Sequence, residues 1–448
     1  MRYDVVVIGA GPAGYPAALK AVERKPNVLL IDRSREHLGG VCLNRGCIPT
    51  KALLDAGKKL HELRKAVFLE PPFSGSASWK GMQENKEKAV AQIRGSLEKF
   101  LLGKGIRMRF GEARFLAPHR ICVAGPDGTE ELDFDAAVVA AGSQPFFPPL
   151  LESCAQDLLD TDKVLNLKRL PGRLAVIGGG AVGCEFSCLF RELGVEIHLI
   201  EMTSGLLPGE DEMVVRTLRK SLEARGIRIH TETVAEQAER CAIGWRVRLS
   251  SGPVLDVEQI LVCAGRKPYL RHLELGNAGL KTGDRRLAVN ERMQTEAPHI
   301  YAAGDVNGLS LLAHAATFQG EVAGENAAGG SAVYDGRWVP RCLYTWPEVA
   351  SVGLGKKDAE TQGIPVQSKR FYFASSGRAL TEGNSEGFIQ ALFRPDTGHI
   401  LGAQIIGPHA TELIGIFSTA LKAGFTRKDL KSVMFAHPTL AEGIREAL

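Results

Sequence analysis

Two stretches of the chain share one order of apolar and polar positions. Residues 5–32 begin with the apolar run VVVI, pass through a glycine-rich turn and an alanine-rich segment, and end in the apolar run VLLID. Residues 174–201 follow the same order, beginning with LAVI and ending with VEIHLIE. A short, continuous apolar run that leads into a glycine-rich turn is typical of a strand buried in a parallel sheet. The pattern therefore predicts two βαβ units.

Each predicted unit carries glycines and an acid at matching positions. The distance from the first glycine to the closing acid is 23 residues in both units, from 9 to 32 and from 178 to 201. The first glycine permits a tight turn, the second lets the backbone approach a pyrophosphate, and the third lets helix and strand pack closely. An ordinary glycine turn is the alternative, but the preceding strand and the position of the acid favour dinucleotide binding. The residues are Gly9, Gly11, Gly14 and Asp32 in the first unit, and Gly178, Gly180, Gly183 and Glu201 in the second.

Glu201 indicates which nicotinamide dinucleotide the second unit binds. A carboxylate at this position repels a 2′-phosphate, and the next three residues, Met202 to Ser204, include no arginine to bind one. A solvated acid at the end of a strand is the alternative interpretation. The sequence favours NAD over NADP.

The rest of the chain predicts elements of mixed type. Apolar residues at helical spacing indicate a long helix over 86–104, which follows a loop over 71–78. Further strands are expected over 132–142, within 300–306 and near 341–344, 387–394 and 399–407, and further helices near 409–424 and 438–447. We therefore expect an α/β fold with two Rossmann-like dinucleotide-binding domains and a C-terminal α+β domain.

Charge and hydropathy argue against several classes of function. Lys and Arg total 55 and Asp and Glu total 51, a net charge of +4 that is too small to indicate nucleic acid or a membrane as partner. No apolar run reaches the roughly 18 residues that span a bilayer, and the opening residues lack the pattern of a signal peptide. We expect a cytoplasmic protein that binds neither nucleic acid nor membrane.

Two of the nine cysteines, Cys42 and Cys47, lie in the glycine-rich segment GGVCLNRGCIPTK. Five helical steps rise roughly 7.5 Å, whereas a disulfide needs Cα atoms within about 7 Å of each other. A regular helix therefore cannot join the pair, and the surrounding glycines would supply irregular backbone. We expect Cys42 in a loop open to substrate, and Cys47 at the start of a helix whose dipole favours the thiolate.

Two alternatives to a redox-active disulfide remain for this pair, namely two buried thiols or half of a metal site. No second cysteine pair lies at zinc spacing, so no metal is expected. Beside a dinucleotide-binding turn, the pair favours a catalytic disulfide.

His437 and Glu442 suit acid–base chemistry. His437 precedes Pro438, which biases its backbone away from helix, and Pro438 suits the first turn of a following helix. Glu442 would then be close enough to fold back toward the imidazole. A histidine supported by a carboxylate can accept the proton that thiol–disulfide exchange releases. A helix-capping histidine and a surface acid are the alternative.

The cysteine segment resembles the active-site motif of the class I pyridine nucleotide–disulfide oxidoreductases. Other resemblances to this family extend along the whole chain. They are AAGSQP at 140–145, GGGAVGCE at 178–185, AGRKP at 264–268, IYAAGDV at 300–306, YTWPEVASVG at 344–353 and AHPTLAE at 436–442. The resemblance implies an FAD-binding domain over 1–148, an NAD-binding domain over 149–267, a central segment over 268–335 that completes the FAD site, and a dimerisation domain over 336–448.

The resemblance also implies roles for individual residues. Cys42 would exchange disulfides with the substrate, Cys47 would lie against the flavin, and His437 with Glu442 would complete the active site of the partner subunit in a homodimer. Further contacts with FAD or NAD are expected from Gly40, Lys51, Gly142, Ser143, Val182, Glu185, Gly265 and Asp305, and from the start of a helix entered at Ala313 and His314. Lys51 would pair with Glu185.

The ending CIPTK most resembles the family members that oxidise dihydrolipoamide. This likeness implies lipoylated protein domains of a multienzyme complex as partners. An NADH-driven reductase of another small disulfide is one alternative, and a catalytically silent FAD- and NAD-binding redox sensor is another. The presence of both cysteines with the histidine and glutamate argues against silence.

Overall fold

The computed structural model describes residues 2–126, 128–281 and 286–448. The chain forms two compact units, each assembled from separate segments. The first unit comprises Met1–Leu53, Lys80–Phe146 and Gly265–Gly336, and the second comprises Leu54–Trp79, Phe147–Ala264 and Arg337–Leu448. The four domain boundaries expected from the sequence stay a prediction.

The described residues form both strands and helices. In chain order they are β1 (Arg2–Ile8), α1 (Gly14–Val22), β2 (Val28–Asp32), α2 (Gly40–Arg45), α3 (Cys47–Lys65), α4 (Trp79–Gly103), β3 (Arg107–Phe110), β4 (Glu112–Ala117), β5 (Arg120–Gly125), β6 (Gly128–Val139), β7 (Ser143–Pro145), β8 (Arg173–Ile177), α5 (Ala181–Glu192), β9 (Glu196–Ile200), α6 (Glu212–Ala224), β10 (Arg228–His230), β11 (Ala235–Cys241), β12 (Gly244–Leu249), β13 (Val254–Val257), β14 (Gln259–Val262), β15 (Arg266–Pro268), β16 (Ile300–Ala302), α7 (Ala313–Ala327), β17 (Arg341–Leu343), β18 (Glu348–Gly353), α8 (Lys356–Thr361), β19 (Gln367–Tyr372), α9 (Gly377–Thr381), β20 (Phe388–Phe393), β21 (Ile400–Gly407), α10 (Ala410–Ala423), α11 (Arg427–Lys431) and α12 (Glu442–Glu446).

The first unit is built on a sheet with the strand order β3-β2-β1-β6-β5-β4, in which β16 also pairs with β6. Strands β3, β2, β1, β6 and β16 run parallel, and β5 and β4 continue the sheet antiparallel. The apolar run of β1 is central, because Val5 pairs with Val28 on one side and Ala136 on the other. Residues Val5 to Val7 have no exposed surface, as expected for a strand covered on both faces.

The second unit contains a parallel sheet of order β10-β9-β8-β14, an antiparallel sheet of order β11-β12-β13 and a larger sheet of order β17-β18-β21-β20-β19. Neighbouring strands of the larger sheet all pair antiparallel. Its core is formed with α10, whose Phe417 is fully buried with Ile405 and Ile389. The predicted α/β fold with a C-terminal α+β region is confirmed.

Both predicted βαβ units are present, as β1-α1-β2 and β8-α5-β9, and the paired strands are parallel in each. The long helix α4 begins at Trp79 rather than at residue 86. Its first turn is held by tertiary contacts that a periodicity argument does not include. The Trp79 indole N–H donates to the Leu167 carbonyl at 2.8 Å, and Met82 is buried.

The expected helix over 438–447 is shorter than predicted, since α12 begins at Glu442. The prediction that Pro438 occupies the first helical turn was wrong. A turn stands in its place, because the Thr439 hydroxyl donates to the Ala436 carbonyl at 2.7 Å and the Thr439 N–H donates to Glu442 Oε2 at 2.9 Å.

Candidate redox active site

The first glycine-rich turn joins β1 to α1. A Cβ atom on Gly14 would lie 1.7 Å from the Gly9 carbonyl oxygen, so only glycine fits where the helix crosses the strand end. The turn also packs against the start of α2, because a Cβ on Gly40 would lie 2.5 Å from the Gly11 Cα. The backbone around Gly11 is therefore bare of side chains and covered by Gly40, a shape that suits a phosphate group.

Asp32 at the end of β2 closes this turn. Its Oδ2 accepts the Ala10 N–H at 2.7 Å, and its Oδ1 accepts the Arg33 N–H at 2.7 Å. Burial raises the pKa of Asp32, and the two backbone hydrogen bonds oppose that rise. The carboxylate thus lies beside the turn, where it could accept ribose hydroxyls as predicted.

The second turn repeats this geometry around Gly178. A Cβ on Gly183 would lie 1.9 Å from the Gly178 carbonyl oxygen, whereas a Cβ on Gly180 would meet no atom within 4 Å. Val182, the second residue of α5, is 39% exposed beside this open turn.

Glu201 at the end of β9 is buried rather than solvated. Its Oε2 accepts the Gly179 N–H at 2.7 Å, and its Oε1 accepts the Thr203 N–H at 2.8 Å and the Thr203 hydroxyl at 2.7 Å. The side chain is 6% exposed, so the interpretation as a solvated strand-end acid was wrong. Glu201 corresponds in position to Asp32, since each carboxylate accepts the N–H that follows the first glycine.

Cys42 and Cys47 lie on either side of a helix break. Helix α2 ends at Arg45, Gly46 has φ −145° and ψ −113°, and α3 begins at Cys47. A Cβ on Gly46 would lie 2.9 Å from the Val41 carbonyl oxygen, so the break depends on glycine. The predicted irregular backbone and the helix start at Cys47 are confirmed. The expectation that Cys42 lies in a loop was wrong, because Cys42 lies within α2. Asn44 stabilises this short helix, since its Nδ2 donates to the Leu38 and Gly40 carbonyls at 2.9 Å.

The two cysteine side chains contact each other. A hydrogen bond to Cys47 is the largest cause that raises the pKa of the Cys42 thiol, followed by burial, while the nearby Lys51 charge opposes the rise. The neighbouring Cys47 sulfur, at the start of α3, thus favours the protonated form of the Cys42 thiol. Both side chains are half-buried. Two such sulfurs are placed to form and break a disulfide.

Lys51 follows Cys47 by one turn of α3. Glu185 lies in α5 of the second unit, is 3% exposed and accepts the Tyr344 N–H at 3.0 Å. The pairing of Lys51 with Glu185 stays a prediction.

A polar network in the first unit joins three distant parts of the sequence. The Ser143 hydroxyl donates to Asp305 Oδ2 at 2.5 Å, and Arg266 donates from Nε to the Ser143 hydroxyl at 2.8 Å and from its terminal nitrogen to the Ser143 carbonyl at 2.9 Å. Burial raises the pKa of Asp305, and Ser143 and Arg266 oppose the rise. The sequence prediction included Ser143 and Asp305 but missed Arg266. Its position directly after Gly265 in the motif AGRKP was the available signal in the sequence, whereas the pairing of β15 with β7 is visible only in the structure.

Helix α7 begins at Ala313, immediately before His314, as predicted. It packs closely on α1, because a Cβ on Gly320 would lie 2.0 Å from the Ala13 carbonyl oxygen. Gln319 of this helix was also missed by sequence reasoning. Its side chain is fully buried, and Oε1 accepts the Gly304 N–H at 2.9 Å and the Asn307 side-chain N–H at 2.8 Å, which holds the loop that carries Asp305.

Gly142 and Gly265 both have positive φ and meet no neighbour where a Cβ would stand.

His437 and Glu442 form the predicted pair. His437 Nδ1 lies 2.9 Å from Glu442 Oε1, and the imidazole is 81% exposed. The Thr439 N–H and then His437 lower the pKa of Glu442, so this carboxylate stays ionised and orients the ring. Among the described residues, His437 Nε2 has no hydrogen-bond partner, which leaves it available to a substrate. The pair lies in the second unit and the cysteines in the first.

Within residues 2–126, 128–281 and 286–448, no group of three or more His, Cys, Asp or Glu side chains could hold a metal ion. No described helix is both long enough and apolar enough to cross a membrane.

Comparison with known proteins shows the family. Residues 3–320 match the model of the pyridine nucleotide-disulphide oxidoreductases, and residues 339–448 match the dimerisation domain of the same family. The dihydrolipoyl dehydrogenase of Bacillus subtilis (strain 168) is 36% identical over 450 residues, which cover 99% of this chain and 97% of that protein. The dihydrolipoyl dehydrogenase of Thermus scotoductus is 39% identical over 456 residues, covering 99% and 96% of the two chains.

Solved structures agree with these matches. LpdA from Mycobacterium tuberculosis has a TM-score of 0.92 and 28% identity, with 99% of this chain and 98% of that chain covered. The HOCl-induced flavoprotein disulfide reductase RclA from Escherichia coli has a TM-score of 0.89 and 26% identity, with 99% of both chains covered. Since the matched models together cover nearly the whole chain, the protein belongs to the pyridine nucleotide-disulphide oxidoreductase family.

Proposed function

We propose that this chain oxidises protein-bound dihydrolipoamide and reduces NAD⁺ through a Cys42–Cys47 disulfide. The observation that carries the proposal is the contact of the two cysteine side chains across the break at Gly46, with Cys47 at the start of α3. The relatives named dihydrolipoyl dehydrogenase, which match over 99% of this chain, support the choice of substrate.

The residues of the two turns suit the cofactors of this family, FAD and NAD. Gly11 and Gly40 lie close together without side chains between them, and Asp32 lies beside this turn, so the first unit would hold FAD. Asp305, fixed by Ser143, would accept hydroxyls of the same cofactor. The open turn at Gly180 would receive the NAD pyrophosphate, and Glu201 would accept the ribose hydroxyls and disfavour a 2′-phosphate.

The cysteines perform the exchange with the substrate. A substrate thiolate attacks the Cys42 sulfur of the disulfide, a substrate–Cys42 bond forms, and Cys47 leaves as a thiolate. The second substrate sulfur then attacks this mixed disulfide, which releases Cys42 and closes the substrate disulfide. Two electrons pass from the dithiol to the cysteine pair. Bound FAD supplies the remaining chemistry, which is transfer of this electron pair to NAD⁺ as hydride.

His437 would take the proton of the first substrate thiol, and the proton of the second thiol would pass to the released Cys42 sulfur. Its free Nε2 is the acceptor, and Glu442 on Nδ1 stabilises the imidazolium that forms. The matched dimerisation domain supports a homodimer in which His437 of one subunit serves the cysteines of the other. We further propose a cytoplasmic location, since disulfides in that compartment are usually transient and catalytic. The relatives named dihydrolipoyl dehydrogenase support lipoylated domains of a multienzyme complex as partners.

A substrate comparison tests the reaction. The holoenzyme is assayed with NAD⁺ and dihydrolipoamide, and with NADH and a panel of disulfides that includes lipoamide and glutathione disulfide. We expect the highest kcat/KM for the dihydrolipoamide and lipoamide couple. A higher kcat/KM for another disulfide would favour a reductase, as the likeness to RclA also allows. No turnover with any dithiol or disulfide would favour the silent sensor.

Subunit mixing tests the composite site. Cys42→Ser and His437→Ala subunits are each inactive alone, so they are coexpressed with different tags and the mixed dimer is purified. If His437 serves the partner, the mixed dimer has one intact site and regains about half of the wild-type activity per dimer. If each site is built within one chain, both sites stay broken and the mixed dimer is inactive.

A further inference from the structure

A cavity in the second unit contains none of the residues discussed so far. Its volume is about 460 Å³, within the range of roughly 300–1,000 Å³ that is usual for small-molecule pockets. It is lined by the end of α3, by one face of α6 and by Glu386 before β20. No residue of the glycine-rich turns, the cysteine segment or the His437–Glu442 pair contributes to it.

The α6 side of the cavity has helical regularity. The lining residues from this helix recur at intervals of three or four, so they form one stripe. Arg216 and Lys220 lie on this stripe, and Arg225 follows the end of the helix. Residues nine positions apart on a helix are separated by roughly 13 Å along its axis. The cationic groups therefore extend along the cavity instead of meeting at one point.

These cations have few anionic neighbours. Among the described residues, no carboxylate pairs with Lys65, Arg216 or Lys220, and Arg216 contacts only the Met213 sulfur, at 3.1 Å. Glu386 is the single acidic residue of the lining, and it accepts the Ser221 hydroxyl at 3.2 Å. The lining thus carries a clear excess of positive charge.

Arg225 adds a further cation without an ion pair among the described residues. Its guanidinium is half-buried, lies 5.8 Å from the centre of the Trp346 ring and is 3.7 Å from the Cys188 sulfur. No carboxylate within the described part of the chain pairs with it. Burial and then the Arg225 charge lower the pKa of the neighbouring His61 to about 4, and the hydrogen bond with Glu192 at 2.8 Å opposes this fall.

We propose that this cavity binds a small molecule that carries a polyphosphate group, such as a nucleoside triphosphate. A chain of phosphates can contact several of the spaced cations at once, whereas a single phosphate cannot. Charge-assisted hydrogen bonds from Lys65 and the arginines would replace the ion pairs that the protein itself does not supply. The site is separate from the proposed redox reaction and does not depend on it.

Titration calorimetry tests the site on FAD-loaded protein saturated with NAD⁺, which keeps nucleotides out of the second glycine-rich turn. The probes are ATP, inorganic tripolyphosphate and adenosine. We expect saturable binding of ATP at one site per chain, competition by tripolyphosphate and no binding of adenosine. Binding of adenosine without tripolyphosphate would overturn the proposal, because a base and not a phosphate chain would then be recognised. Failure of ATP and tripolyphosphate to bind would overturn it as well.

Three variants locate the binding. Arg216→Glu combined with Lys220→Glu should weaken ATP binding by about tenfold or more, and Glu386→Gln should strengthen it. Arg219→Glu is the matched control, because Arg219 lies on the same helix, pairs with Glu223 at 2.8 Å and does not line the cavity. It should leave binding unchanged. Equal weakening by Arg219→Glu, or no weakening in the double variant, would contradict the assignment; retained FAD absorbance verifies that each variant is folded.

Discussion

The two glycine-rich turns of the chain are alike in backbone and different in surroundings. In both, the third glycine fits against the carbonyl of the first, and the closing acid accepts the N–H that follows the first glycine. The second glycine is where they differ. Gly11 is packed against Gly40, whereas a Cβ on Gly180 would meet nothing within 4 Å.

This difference suits the two cofactors to different tasks. A turn covered by α2 would retain its ligand through many cycles, as FAD must be retained. An open turn would let its ligand enter and leave, as NAD must in each cycle. The covering segment continues into Cys42 and Cys47, so the element that closes the first turn also carries the redox pair. Among the described residues, no comparable segment packs against the second turn at Gly180.

The largest effect should come from the cysteines beside the first turn. Cys42→Ser and Cys47→Ser should each lower dithiol–NAD turnover by more than about 10³-fold, because each sulfur needs the other to form the disulfide. Hydride exchange between NADH and bound FAD should survive in both. A long-wavelength charge-transfer absorption should appear in oxidised Cys42→Ser, which keeps the Cys47 thiolate, and be absent from Cys47→Ser. The opposite pattern would reverse the roles, and undiminished turnover would exclude the disulfide mechanism.

A matched pair of glycine substitutions addresses the covered and the open turn directly. Gly40→Ala places a Cβ 2.5 Å from Gly11 at φ +65°, so the variant should be purified with little or no FAD. Gly180→Ala has φ −72° and free space around it, so it should keep FAD and raise the KM for NAD⁺ by about tenfold. FAD absorbance per chain and steady-state kinetics measure the two effects. Loss of FAD from Gly180→Ala would refute the division of labour.

The closing acids give an effect of similar size that is confined to the choice of nucleotide. Glu201→Arg removes the carboxylate that repels a 2′-phosphate and supplies a cation that binds one, so the ratio of kcat/KM for NADPH to that for NADH should rise by about tenfold or more. Glu236→Arg, which makes the same charge change at an exposed position of the same unit, is the control and should leave the ratio unchanged. An unaltered ratio in Glu201→Arg would remove the basis for NAD preference.

The smallest effect should come from the support of Asp305. Ser143→Ala removes one hydrogen bond to this carboxylate and should weaken FAD binding to the apoprotein by about fivefold. The ionised carboxylate is the better acceptor for FAD hydroxyls, and burial raises its pKa. FAD affinity should therefore fall, as pH is lowered, at a higher pH than for an exposed aspartate. In Ser143→Ala the fall should begin at a still higher pH, because the variant lacks the hydroxyl whose hydrogen bond lowers the pKa of Asp305. Fluorescence titration of the apoprotein with FAD measures the pH dependence of both proteins. An identical pH dependence in the two proteins would contradict this role.

The sequence determined what depends on local backbone chemistry. The order strand, glycine turn, helix and strand predicted both βαβ units, because the spacing of three glycines and an acid is set within about 25 residues of chain. The glycines around the cysteine pair predicted a helix break, and the break lies at Gly46. His437 and Glu442 were predicted as a pair because they are five positions apart in the chain, and the pair forms at 2.9 Å.

Only the tertiary structure decided contacts between distant segments. Arg266 meets Ser143 across 123 residues, and Ser143 meets Asp305 across 162, so no local pattern reports this network. The same limit explains the burial of Glu201 and the early start of α4, where a carbonyl at Leu167 fixes Trp79. It also explains the cationic cavity, whose walls come from α3, α6 and the residues before β20. Spacing along the chain encodes turns and helix faces, whereas burial and charge pairing depend on which segments the completed fold brings together.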